Sequence, residues 1–327
     1  MRICIFGLGA VGGHFATRLA AAGHDVSAVA RGETLSKVKA DGLTLTSFGE
    51  TIRARVNVSE HPADLGPQDA VISTLKATQL ASLAEGVAPL LGPETQVVFA
   101  QNGIPWWYDI GLSPARPAPP DLSNLDPGGA LRDGIEAERI VGAVIQSPNE
   151  MVAPGVVVHE SETRNALILG RPDDRADPGL DRLRDALVGA GIQSPPTADI
   201  RQAIWGKLFL NMSISVLCLV TGHRAIVVNE DERLGRLFVA MAREGMAAAA
   251  AHGIDAGAFD PESFRPRAPD HMPSIRQDFE RGRPVELENL LLAPIAFARV
   301  AGIATPNLEA VAALAVRQAI DAGLFPA

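Results

Sequence analysis

Near its start the chain carries an unbroken apolar run, Ile3-Cys4-Ile5-Phe6, ending at Gly7, which is the pattern of a strand buried on both faces. From residue 10 to 22 small and apolar residues recur at helical spacing, and Gly23 closes the helix. Residues 25–30 read as a second strand. Residues 69–74 and 96–100 read as two more, with a helix over 79–91 between them. Residues 141–145, 155–159 and 165–170 read as further strands that finish the sheet along an antiparallel edge. Beyond Pro195-Pro196 the period changes, and 200–219, 230–252, 273–281, 284–301 and 306–322 all carry helical spacing. Strands alternating with helices predict an α/β N-terminal domain, a Rossmann-type doubly wound sheet. The remainder predicts an all-α C-terminal domain, with the division at 1–197 and 198–327.

One stretch fits neither pattern. Residues 113–129 hold Pro114, Pro117, Pro119, Pro120 and Pro127 among small polar residues, which predicts an exposed loop. Composition adds limits. With 47% hydrophobic and 20% charged residues the balance is that of a soluble globular protein. A net charge of −9 argues against a nucleic-acid partner, because phosphate neutralisation needs basic surface. It leaves a small anionic substrate open, since one local cation decides that. Cys4 and Cys218 sit in apolar runs and read as buried free thiols. The histidines show no metal-ligand spacing, so no metal is expected. No signal-like leader and no run approaching about 20 apolar residues is seen, so a cytoplasmic protein without a membrane partner is the expectation.

The strongest chemical signal is Gly7-Leu8-Gly9-Ala10-Val11-Gly12, a GxGxxG placed between a predicted strand and a predicted helix. Gly7 permits a tight turn, Gly9 lets backbone approach a pyrophosphate, and Gly12 lets helix pack closely on strand. The end of the second strand reads Val29-Ala30-Arg31-Gly32, with Arg31 where NAD enzymes usually hold an acid. Arg31 there would pair with a 2′-phosphate and favour NADPH, the alternative being an ordinary solvated arginine. Lys76, after the strand ending at 74, would add a second positive charge.

Three further segments carry candidate chemistry. Asn102, in Gln101-Asn102-Gly103-Ile104-Pro105, follows a buried strand directly and is placed to reach the nicotinamide end of a cofactor; an Asn-Gly turn chosen for its dihedrals is the competing explanation. Lys207 and Asn211 are four apart and share a helix face among apolar neighbours. Partial burial there would disfavour the charged lysine and suit it to general-acid work, whereas a snorkelling lysine needs no function. Ser274 and Asp278 are again four apart, and Glu286 lies in the first turn of a helix, where the helix dipole alone would favour an acid.

Taken in order, GLGAVG, Arg31, TLKATQ, QNGIP, IWGKLFLN, SIRQDFERGRPVE and GIATPN make a sequence that resembles the ketopantoate reductase (2-dehydropantoate 2-reductase) family from Met1 to about Gln318. The resemblance implies hydride transfer from NADPH to the keto carbon of ketopantoate, giving pantoate for pantothenate biosynthesis. It implies Lys207 as general acid, Glu286 as the acid that orients substrate and lysine, and Asn102 as the asparagine at the nicotinamide. Arg31 and Lys76 match 2′-phosphate contacts, and Asn211 and Ser274 match substrate contacts. The chain departs from the family at Ser215, where a second substrate-side asparagine is common, and at His271, Val285 and Leu290-Leu291. Trp106, Trp107 and Tyr108 are bulky additions beside the nicotinamide loop. The expected partner is a small 2-oxo acid, with a homodimer as candidate assembly. Reduction of another oxo acid or an imine, or NADPH sensing without turnover, are the alternatives; retention of Lys207, Asn211 and Glu286 together argues against a sensor.

Overall fold

The computed structural model describes residues 1–257, 259–265 and 270–326. The chain divides into two compact units, Met1–Gln101 with Gly128–Ile200, and Asn102–Pro127 with Arg201 onward.

The first unit is built on a seven-stranded sheet. Its eleven strands in chain order are β1 (Arg2–Phe6), β2 (Asp25–Val29), β3 (Leu43–Ser47), β4 (Glu50–Ala54), β5 (Asn57–Ser59), β6 (Gln68–Ser73), β7 (Leu91–Ala100), β8 (Ile140–Gln146), β9 (Asn149–Ala153), β10 (Val156–His159) and β11 (Ala166–Gly170). Seven of them form the main sheet in the order β11-β8-β7-β6-β1-β2-β5. All its pairs are parallel except β11 with β8. Reading outward from β1, the chain first adds strands on one side and then crosses to the other, the doubly wound arrangement with its switch point between β1 and β6. Ile3, Cys4 and Ile5 are fully buried, as a central parallel strand covered on both faces requires.

The antiparallel edge expected for residues 155–159 is not there. β10 leaves the main sheet and joins a second, four-stranded sheet in the order β4-β3-β10-β9. The sequence reading also lacked the β3–β4 hairpin that this sheet is built around. The Ala10–Ala21 helix packs against both β1 and β2 of the main sheet and against β3, β4, β9 and β10 of the small one. Gly12, Gly13, His14, Phe15, Ala16, Thr17 and Leu19 are accordingly all buried. A helix enclosed on every side needs no polar face, which accounts for its small apolar composition. The helix expected over 79–91 is broken into short turns, only Ala81–Gly86 being α-helical, because Pro89 interrupts it and β7 begins at Leu91.

The second unit is helical. Its first long element runs Ile200–Leu210, passes through a π-helical turn at Asn211–Ser215 and continues as Val216–Thr221. The continuous stretch Ile200–Thr221 has a mean hydropathy of 1.7 over its most apolar window and is long enough to cross a membrane, contrary to the sequence expectation; 67% of that window is buried inside the protein, which accounts for its composition by core packing. The Glu232–Ala251 helix lies against the π turn, where Gly245 faces Met212 so closely that a Cβ would come within 2.4 Å of Sδ. A second π turn, Glu288–Leu292, leads into the Ala293–Val300 helix, and Pro306–Asp321 completes the unit.

The excursion 102–127 is held to this helical unit. The Arg201 Nε donates to Tyr108 O at 2.8 Å and its Nη2 to Ile110 O at 2.7 Å. Trp205 Nε1 donates to the Tyr108 hydroxyl at 2.9 Å. Trp106, Trp107 and Tyr108, expected as bulky additions beside the nicotinamide loop, are fully buried core residues that fasten the segment. The proline-rich part that follows is mostly exposed, as expected, but Leu122 and Leu125 are buried and anchor its far end. Cys4 and Cys218 are buried free thiols whose pKa burial pushes up to about 12.

Candidate active site

In the first unit the glycine loop sits at the carboxyl end of β1. Gly7 has φ +103 and donates its N–H to Val29 O at 3.0 Å. Thr74, leaving β6, donates its hydroxyl to Gly7 O at 2.6 Å and its N–H to Phe6 O at 3.1 Å. The loop is therefore tied to β2 on one side and to β6 on the other, at the switch point between β1 and β6. A Cβ on Gly12 would stand 2.0 Å from Gly7 O and 2.5 Å from Thr74 Oγ1, so only glycine closes this turn. A Cβ on Gly9 would meet nothing within 4 Å. The space beside Gly9 is open, and Gly9 caps the Ala10–Ala21 helix with no side-chain cap bond and no acid in its first turn. Leu8 is buried beneath the loop, while Ala10 and Val11 are partly exposed on the opening turn. An open cradle at uncapped helix N–H groups suits a pyrophosphate.

Arg31 follows β2 at the same edge of the sheet. It is exposed and makes no ion pair among the described residues. No acid occupies position 30 or 31, and Ala30 is buried. Lys76, just beyond Thr74, is half-buried.

In the second unit, Lys207 Nζ donates to Asn102 Oδ1 at 2.6 Å. Asn102 was expected as a cofactor contact and Lys207 as an acid; the structure joins the two side chains directly. Both are partly exposed, so the pair is open to a ligand. Lys207, Asn211 and Ser215 follow one another along the same helix. In an unbroken α-helix each four-residue step drifts round the axis by about 40°. The i→i+5 turn over Asn211–Ser215 takes in an extra residue and so changes the rotation of the side chains that follow. Ser215 is buried and Asn211 partly exposed.

The two π turns, Asn211–Ser215 and Glu288–Leu292, pack against each other. Glu286 lies just before the second and is 8% exposed. Its neighbour Val285 donates its N–H to Leu324 O at 3.1 Å, fixing the start of that helix. Glu288 is half-buried, and burial holds its carboxyl above the usual range against a hydrogen bond with Asn124. Ser274 begins the Ser274–Glu280 helix, which packs on both Asn211–Ser215 and Val216–Thr221, and its side chain is exposed. Asp278, four residues on, is buried and paired with Arg283 at 3.1 Å, so it fastens the turn into the next helix.

Asn289 was missed by the sequence reading. It accepts from Ile104 N at 2.9 Å through its backbone carbonyl and donates Nδ2 to Ile104 O at 2.8 Å. Nothing local marks it, because its partner lies 185 residues away.

The family model described as ketopantoate reductase PanE/ApbA matches residues 3–107, and the one described as ketopantoate reductase PanE/ApbA C terminal matches 199–318. A 2-dehydropantoate 2-reductase of Mesorhizobium japonicum is 38% identical, covering 99% of this chain and all of that protein. A crystal structure from Ralstonia solanacearum MolK2, assigned as a ketopantoate reductase, superposes with a TM-score of 0.89 at 33% identity over 99% of both chains. A ternary structure of D-mandelate dehydrogenase with NADH and anilino(oxo)acetate shares the fold, with a TM-score of 0.80 at 20% identity over 99% of this chain and all of that one.

Proposed function

This chain belongs to the ketopantoate reductase family and is an oxidoreductase, and on that premise we propose that it reduces ketopantoate to pantoate with NADPH. The observation that carries the reading is the lysine held at 2.6 Å by an asparagine carbonyl, partly open to solvent, in the region the family shares. Gly7, Gly9 and Gly12 with the following helix turn would hold the pyrophosphate, and Arg31 and Lys76 the 2′-phosphate. When bound, the nicotinamide supplies the hydride that the keto carbon accepts. As that carbon takes the hydride, negative charge grows on the carbonyl oxygen. Lys207 then donates a proton from Nζ to that oxygen, and its positive charge stabilises the oxygen beforehand. An ammonium has three donors; Asn102 Oδ1 takes one and so fixes the directions of the other two. Glu286 orients lysine and substrate, while Asn211, Ser215 and Ser274 hold the substrate's polar groups. Asn102 also keeps its expected part at the nicotinamide. In this reading residues 1–197 serve the cofactor and 198–327 supply the proton donor and substrate groups.

A second reading, the same reduction on another 2-oxo acid, is favoured by one observation. At Ser215 a short, buried hydroxyl replaces the asparagine common in the family, which leaves one donor where the amide would offer two. A panel of 2-oxo acids assayed by NADPH oxidation tests both. Ketopantoate should give the highest kcat/KM. Preference of more than about tenfold for another acid, equivalent to about 1.4 kcal/mol, would reassign the substrate. Oxidation with none of them would remove the reductase reading.

A further inference from the structure

We propose that Asn289 is a positioning residue that aims Lys207 by clamping the loop that carries Asn102; this rests on the reading of Lys207 as proton donor. The clamp grips one residue, Ile104, by both its backbone groups. Ile104 N–H donates to the Asn289 carbonyl at 2.9 Å, and Asn289 Nδ2 donates to Ile104 O at 2.8 Å. Ile104 is fully buried and Asn289 is 6% exposed, so no water stands ready to replace either bond. Between Asn102 and Ile104 lies Gly103, with φ +81 and its Cα so close to the clamp that a Cβ would be 2.4 Å from Asn289 O and 2.6 Å from its carbonyl carbon. The loop backbone is thus seated directly on the π turn Glu288–Leu292, and Asn102 is placed through two peptides by that seat. At the far end of the same chain of contacts, Asn102 Oδ1 receives Lys207 Nζ at 2.6 Å. An α-helix that widens to i→i+5 changes where its carbonyls point, and here one of them meets the loop.

Three measurements distinguish Asn289 from a residue that only stabilises the fold. Asn289→Ala should lower kcat on ketopantoate about tenfold, as expected for one lost buried hydrogen bond, with KM changed less than about twofold. In an Asn102→Ala background the same substitution should cost no more than about twofold, because its route to the lysine is already cut. Amide exchange at Ile104, followed by mass spectrometry of the 102–108 segment, should accelerate about tenfold without a matching change across the second unit. Equal losses of kcat in both backgrounds would show a structural role and overturn the proposal. So would unchanged kcat in Asn289→Ala while Lys207→Ala is inactive. Lys207→Ala turning over like wild type would instead refute the proton-donor reading, and the clamp would then have nothing to aim.

Discussion

Arg31 stands exposed at the end of β2 and makes no ion pair among the described residues, so we propose its guanidinium as the contact for an anionic ligand. Arg31→Ala should raise KM for NADPH by at least about tenfold and leave KM for NADH nearly unchanged, since a charge-assisted contact contributes about 1.5–3 kcal/mol. Equal losses for both cofactors would remove Arg31 as the reader of the 2′-phosphate. His14 makes a separate prediction. It is fully buried in the Ala10–Ala21 helix, with Nε2 3.0 Å from Asn165 Oδ1 and its ring 4.8 Å from that of His159. Burial first, then the neighbouring His159 and Arg18, lower its pKa to about 3. Unfolded, the same side chain would protonate near its ordinary value of 6.5. Between those values the unfolded chain binds more protons than the folded one, so stability falls as pH drops from 6.5 toward 3. The slope from this residue reaches about 1.4 kcal/mol per pH unit, and His14→Gln should flatten it in thermal melts taken across that range. An unaltered slope would assign the acid sensitivity elsewhere, His159 first, since burial lowers its pKa as well.

At the scale of elements, the 102–127 segment divides into parts with different roles. Its beginning is fastened by Arg201, Trp205 and Asn289, its middle is exposed, and its end is anchored by Leu122 and Leu125. Removing 114–120 and closing the gap with a short glycine-serine linker should leave the melting temperature within a few degrees. Leu125→Ala should cost about 2–4 kcal/mol by opening a cavity. Insoluble protein from the deletion would show that the prolines belong to a contact. Elements that advertise themselves locally were legible: β1 with its glycine turn, the Ala10–Ala21 helix, and the helical period from Ile200 onward. The small sheet was not, because β4 and β9 are short strands with little burial, and β3 pairs with β10 more than 100 residues away. The π turns were not legible either. Their apolar spacing is that of an ordinary helix, and only tertiary packing of one turn on the other distinguishes them.

For the molecule as a whole, a local signal could be read where residue type and position coincide, as at Gly7, with its φ of +103, and Gly12, where a Cβ would clash with Gly7 O. It could not be read where the meaning comes from a partner distant in sequence. Asn102 joins Lys207 across 105 residues, and Asn289 joins Ile104 across 185. Trp106, Trp107 and Tyr108 show the same: the sequence marks them only as bulky additions beside the nicotinamide loop, and it is Arg201 and Trp205, distant in sequence, that draw the segment into the core. The central claim concerns Lys207 and is tested by one comparison, NADPH affinity against single-turnover rate in Lys207→Ala. Affinity for NADPH should stay within about twofold while the rate on ketopantoate falls by about 10²–10⁴, the range for a positioned general acid. A rate within a few-fold of wild type would contradict the claim.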